Sequence, residues 1–144
     1  IAKAIAGDLN KIGIKLKIKT LEWGRFKYDV ERGLIQLWTL SWVGYKDPDI
    51  YRYAFSTDSM PPHGGNRGNF SHPELDSLLK EGIRTIDLKE RKNIYLQVQQ
   101  IVHEQIPYVF LFHENHSVVM NKKISGYKLY ADGRYFSLLH VDKL

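Results

Sequence analysis

Cysteine is absent from the 144 residues of this chain. Its absence excludes disulfide scaffolds, thiolate zinc sites and cysteine nucleophiles together. Long apolar runs are missing too. The longest, around Leu34 to Val43, is interrupted by Gln36, Thr39 and Ser41, and it falls short of the ~20 residues a helix needs to cross a bilayer. The signatures G-x-S-x-G, P-loop and H-E-x-x-H do not occur. His113 and His116 stand three apart in a strand-like stretch, so they point to opposite faces and make a poor metal pair. Neither a metal nor a cofactor is expected. An initiating Met and a leader sequence are also lacking. The chain opens at Ile1 inside an amphipathic pattern, and the expectation is that it is processed or cut from something longer.

What is present is a folded composition. Hydrophobic residues make up 43% and charged residues 26%, which argues against disorder. Nine Tyr, six Phe and three Trp supply a core and leave rings over for a recognition surface. The formal net charge is +5, a balance that can signal a nucleic-acid partner. Here Lys15, Lys17 and Lys19 alternate with Ile14, Leu16 and Ile18, which is the wet face of a strand rather than a phosphate-tracking cluster. No nucleic-acid partner is expected.

Periodicity organises the chain. Ile1, Ile5, Leu9 and Ile12 recur at helical spacing and Gly13 ends the run. Ile14 to Leu21 alternates as a half-buried strand. Trp23, Phe26 and Val30 share a helical face that Gly33 closes, and Leu34 to Val43 reads as a strand buried on both faces. Helix, strand, helix, strand in this order fits right-handed crossovers into a largely parallel sheet. Asp47-Pro48 is a helix start, followed by an aromatic helix carrying Tyr51, Tyr53 and Phe55. Ser71 and Glu74, then Asp87 and Glu90, have capping-box spacing. The first box opens a helix with a Leu75, Leu78, Leu79 and Ile83 stripe. The second opens the longest helix, with Ile94, Val98, Ile101 and Val102 inward and Pro107 at its end. Further strands are expected at Tyr108 to Phe112, Ser117 to Met120, Tyr127 to Tyr130 and Phe136 to Val141, with turns at Gly126 and Gly133. The fold class is α/β: a mixed, mostly parallel sheet flanked by helices.

Two places carry candidate chemistry. Ligands of open parallel sheets bind outside the carboxyl ends of strands, which puts Trp42, Gly44, Tyr45 and Asp47 beside a cleft. Trp38 has the same parity as Trp42 and reads as core. Asp47 is able both to cap its helix and to present an oxygen to a cationic group. The second place is the loop Gly64-Gly65-Asn66-Arg67-Gly68-Asn69. Its glycines permit close backbone approach, Arg67 offers a planar fork for a carboxylate, and Asn66 and Asn69 offer donors and acceptors. A solvated loop whose asparagines make turns is the competing reading. A hydrolase using Asp47 with His63 or His72 would need a clear acid–base partner, and none is identifiable. The chain is expected not to be an enzyme.

An ordered set of stretches resembles one family. The set comprises Leu9 to Lys15, Glu22-Trp23, Ser41-Trp42-Val43-Gly44, Asp47-Pro48-Asp49, Asn69 to Asp76, Arg91 to Tyr95 and Ile106-Pro107. Together they resemble the carboxyl-terminal part of extracellular solute-binding proteins of the oligopeptide and dipeptide type, which serve ABC importers. In that family an Asp soon after the Trp-x-Gly turn holds the ligand's amino group; here Tyr45 follows Gly44, and the nearby acids are Asp47 and Asp49. The resemblance implies that residues 1–144 form a single periplasmic-binding-protein-like (type II) α/β lobe of a larger two-lobed protein. It implies a peptide or peptide-like ligand, and an amino-terminal lobe and a membrane permease as partners. It also implies a periplasmic or extracellular location, membrane-associated through the transporter.

Overall fold

In the computed structural model, residues 1–113, 115–130 and 135–143 are described. The chain divides into two units, Ile1–Gln36 and Leu37–Leu144.

The first unit holds α1 (Ala2–Lys11) and α2 (Trp23–Glu31). Gly13, at φ +85°, ends α1 in the left-handed region as its place in the pattern predicts. The Ile14 N–H donates back to the Leu9 carbonyl at 3.0 Å. Glu22 caps α2. Its carboxylate accepts from the backbone N–H of Gly24 at 2.8 Å and of Arg25 at 3.3 Å. These bonds, that to Gly24 first, hold its pKa below the usual carboxylate range. Trp23 and Phe26 stack at 5.8 Å between ring centroids, and Val30 is buried.

The second unit is built on an αα-hairpin. α3 (Ile50–Phe55) leads through a 3₁₀ turn at Thr57–Ser59 to α4 (Pro73–Arg84) and α5 (Leu88–Gln105). Leu75 and Leu79 of α4 meet Tyr95, Val98, Ile101 and Val102 of α5, and Ala54 and Phe55 of α3 close the core. Leu75, Leu79 and Val98 are almost wholly inaccessible, so truncating either leucine to alanine costs about 2–5 kcal/mol. Asp87 caps α5 as predicted, its Oδ1 accepting from Glu90 N–H at 2.8 Å. Ile106, at φ +46°, ends that helix just before Pro107. α4 begins one residue later than the box spacing predicts. A residue before proline is pushed toward extended backbone. That makes His72 (φ −147°) the cap, its Nδ1 accepting from Leu75 N–H at 3.3 Å. Ser71 instead shares a hydrogen bond with Thr57, Oγ to Oγ1, at 2.9 Å.

The sheet differs from the expected one. Among the described residues the ladder is a two-stranded antiparallel pair, β1 (Ile124–Ser125) with β2 (Asp142–Lys143). The stretches expected as strands at 14–21, 34–43, 108–112, 117–120 and 127–130 carry no ladder. Phe136 to Val141 lies mostly in a 3₁₀ segment, Tyr135–His140. The turn expected at Gly133 lies outside the described residues. The reason is physical: a strand exists only against a neighbour that takes its N–H and C=O groups. Apolar side chains of these stretches stand in solvent, among them Leu37 60%, Val43 66%, Val109 76% and Val119 99% exposed, while Leu16, Trp38, Leu40 and Trp42 are half-buried.

Candidate functional site

The residues singled out at 42–47 and 64–69 converge within the second unit. They meet through rings. The Trp42 ring lies edge-on to Tyr45 at 5.9 Å and to Tyr53 at 5.8 Å, and Tyr45 and Tyr53 stack at 6.5 Å with their planes 26° apart. These are the edge and offset geometries that aromatic quadrupoles favour. Tyr53 comes from α3, and nothing in the sequence pattern distinguishes it from the core rings around it.

Glycine at position 65 makes the convergence possible. A Cβ there would sit 2.5 Å from Tyr53 Cε1 and 2.7 Å from Trp42 Cη2. The loop backbone therefore lies directly on the rings. The Gly65 N–H donates to the Tyr53 carbonyl at 3.0 Å, fixing the approach. Beyond it, the Arg67 guanidinium stands 5.6 Å over the Trp42 ring, a cation–π distance. Tyr108 reaches the same loop, its hydroxyl 3.4 Å from the Gly65 carbonyl. Burial raises the Tyr108 pKa, and the nearby Arg67 charge only partly offsets this. Trp38, expected in the core, is half-buried and packs edge-on to Tyr108 at 5.6 Å, whereas Trp42 is the one of the two packed against the core cluster.

Asn66 does something the sequence did not disclose. Its side chain is fully buried. The Nδ2 amide donates toward the carbonyls of Phe55 (3.3 Å), Ser56 (3.0 Å) and Phe70 (2.7 Å), while Oδ1 accepts from Phe70 N–H (3.0 Å). One amide thus closes both ends of the loop onto the end of α3. Asn69 is exposed and left-handed at φ +52°, a conformation asparagine tolerates. Gly44 turns the chain at φ +82°, where any side chain would be strained.

Asp47 is likewise engaged inside the chain. Arg91 of α5 grips it with two bonds, Nη1 to Oδ2 at 3.0 Å and Nη2 to Oδ1 at 2.7 Å. Asp47 does not cap α3 as expected: that helix starts at Ile50 with Asp49 at its cap position, and Asp47 Oδ1 instead accepts from Asp49 N–H at 2.8 Å in a short turn before it. Arg91 is the principal cause of a depressed Asp47 pKa. The same guanidinium donates Nε to the Gly82 carbonyl at 3.0 Å and lies 5.0 Å over the Tyr95 ring. Arg91 therefore ties the 42–47 turn to the α4–α5 hairpin. Its partner is 44 residues away in sequence, so no local signal announces the pair.

The arrangement presents a ring surface, not an acid–base centre. The His72 Nδ1 is committed to its helix cap and Asp47 to Arg91. Among the described residues no group of three His, Asp or Glu side chains is placed to hold a metal. Two open grooves of about 390 and 260 Å³ flank α5 and share Leu96 and Gln99, and neither includes Trp42 or Tyr45. The ring cluster forms a wall from which Tyr45 stands half exposed.

This fold recurs in periplasmic binding proteins. HbpA2 from Haemophilus parasuis matches with a TM-score of 0.73 over 99% of this chain and 28% of its own, at 24% identity, which speaks for the fold alone. The periplasmic binding protein DppA from Helicobacter pylori, solved in complex with the peptide STSA, matches with a TM-score of 0.71 and 26% identity, over 99% of this chain and 28% of its own. No family model matches the chain. By sequence, the probable D,D-dipeptide-binding periplasmic protein DdpA of Escherichia coli is 33% identical over 131 residues, which is 88% of this chain and 25% of DdpA. The chain is a homologue of the oligopeptide- and dipeptide-type extracellular solute-binding proteins and spans about a quarter of the length of the relatives it matches.

Proposed function

We propose that this chain is the carboxyl-terminal α/β lobe portion of the substrate-binding component of an ABC importer. That component captures a peptide or peptide-like solute between two lobes in the periplasm and delivers it, chemically unchanged, to a membrane permease. The observation that carries this reading is the match, along nearly the whole chain, to proteins named for dipeptide binding and to a peptide-bound structure. Hinge closure around a solute is the usual device of such proteins.

The sheet reading follows the same line. The stretches at 14–21, 34–43, 108–112 and 117–120 are strands whose sheet partners lie in the rest of the protein, in a mixed, mostly parallel arrangement. The near-continuous apolar run at 34–43 and the exposed apolar side chains of these stretches support this. The solute lies against Trp42, Gly44, Tyr45, Arg67 and Asn69, with Asn66 and Asp47 shaping the loop and turn behind them.

Titration calorimetry of the intact protein with a panel of di- and tripeptides tests the capture. Saturable binding of a peptide is expected. Peptide hydrolysis that disappears in Asp47→Asn would favour the hydrolase instead, and salt-sensitive affinity for DNA or RNA would favour a nucleic-acid module.

A further inference from the structure

Each acid in the segment that carries most of the ring cluster already has a cationic partner. Residues 42–70 contain three carboxylates, Asp47, Asp49 and Asp58. Arg91 holds Asp47 through two bonds. Arg52 holds both oxygens of Asp49, its Nη2 2.7 Å from Oδ2 and its Nε 3.0 Å from Oδ1. Lys80 stands 3.4 Å from the exposed Asp58. Both arginine pairs are planar and fork-to-carboxylate, the geometry that competes best against an incoming ammonium. The rings are differently placed. Tyr45 is half exposed, backed by Tyr53 on one side and edged by Trp42 on the other. A cation could be drawn to an aromatic face. The Trp42 face, however, already carries the Arg67 guanidinium at 5.6 Å, and a second positive charge there meets a like one.

We infer that this wall selects its solute by rings and not by charge: it takes an aromatic or planar apolar group of a peptide-like ligand against Tyr45 and Trp42, and offers no carboxylate to a ligand ammonium. The inference rests on the peptide-capture reading above.

The test uses the intact protein and three defined probes: phenylalanyl-alanine, alanyl-alanine and N-acetyl-phenylalanyl-alanine. Calorimetry is expected to show the phenylalanyl peptide binding roughly tenfold more tightly than alanyl-alanine, the worth of a well-packed ring. Tyr45→Ala should bring that ratio close to one, and Tyr45→Phe, which keeps the ring, should restore it. The ratio of free to acetylated peptide should stay within about twofold of the parent value in Asp47→Asn. Ratios within each variant cancel any general loss of stability. A ring preference that survives Tyr45→Ala overturns the inference, as does a free-to-acetylated ratio that collapses in Asp47→Asn. Failure of the unaltered protein to bind any of the three probes overturns the peptide-capture reading itself, and this inference with it.

Discussion

Replacing Asn66 tests whether the ring wall depends on the loop behind it. Its amide makes four hydrogen bonds, donating toward the carbonyls of Phe55, Ser56 and Phe70 and accepting from Phe70 N–H, in a site closed to water. Each such bond contributes a net ~0.5–1.5 kcal/mol. Two of the donor bonds share one N–H, so Asn66→Ala is expected to cost about 3 kcal/mol. Asn66→Asp keeps the volume and the acceptor for Phe70 N–H. It turns the donor side into an oxygen aimed at three carbonyl oxygens, and it should cost at least as much at neutral pH. The pH dependence carries a definite sign. Burial among acceptors raises the folded pKa of the introduced carboxyl. The proton that restores one donor is therefore present at low pH and lost as pH rises through that raised value, so the variant's deficit against the parent grows with pH. Urea unfolding of the intact protein followed by tryptophan fluorescence, at pH 7 and near pH 5, measures both effects. A loss below about 1 kcal/mol in Asn66→Ala, or a deficit in Asn66→Asp that shrinks as pH rises, would refute the reasoning.

Other substitutions probe the neighbouring contacts. Gly65→Ala drives a Cβ into Tyr53 and Trp42; a loss of about 1–3 kcal/mol, typical of overpacking, should accompany a shifted tryptophan emission, and unchanged stability would contradict the close approach. Asp47→Asn breaks a solvent-exposed ion pair (the Asp47 side chain is 59% exposed) and should cost less than about 1 kcal/mol. Because the folded Asp47 pKa is depressed, that difference is present above the unfolded value of about 3.9 and closes as pH falls through the lower folded value. Urea midpoints at pH 6 and pH 3 should show it, and a difference of equal size at both would contradict the assignment. Ile106→Gly relieves a β-branched residue at φ +46° and should stabilise by about 1 kcal/mol, seen as a raised thermal midpoint rather than a lowered one.

Local signals made the helices legible. Gly13, Pro73, Asp87 and Pro107 mark ends through rules that act over three or four residues, and the structure places α1, α4 and α5 accordingly. The cap of α4 slipped by one position because the backbone restriction before Pro73 outweighed the hydroxyl preference at Ser71. The strands were legible only as alternation. Pairing is a property of two segments, and the described residues hold partners for Ile124–Ser125 and Asp142–Lys143 only. The candidate face was half visible. Two glycines in sequence signalled a close approach, and Gly65 makes it. The Asn66 bonds to α3 and the grip of Arg91 on Asp47 are contacts across the fold. Asparagine in a loop and arginine on a helix carry no mark that distinguishes such roles from solvated ones.

Native mass spectrometry of the intact protein, prepared gently enough to retain what it binds, addresses solute capture most directly. One equivalent of a small peptide or peptide-like solute carrying an aromatic or planar group is expected, released when the protein is unfolded. Retention of nucleic acid in its place would contradict the account, as would a protein that stays ligand-free when peptides are supplied at saturating concentration.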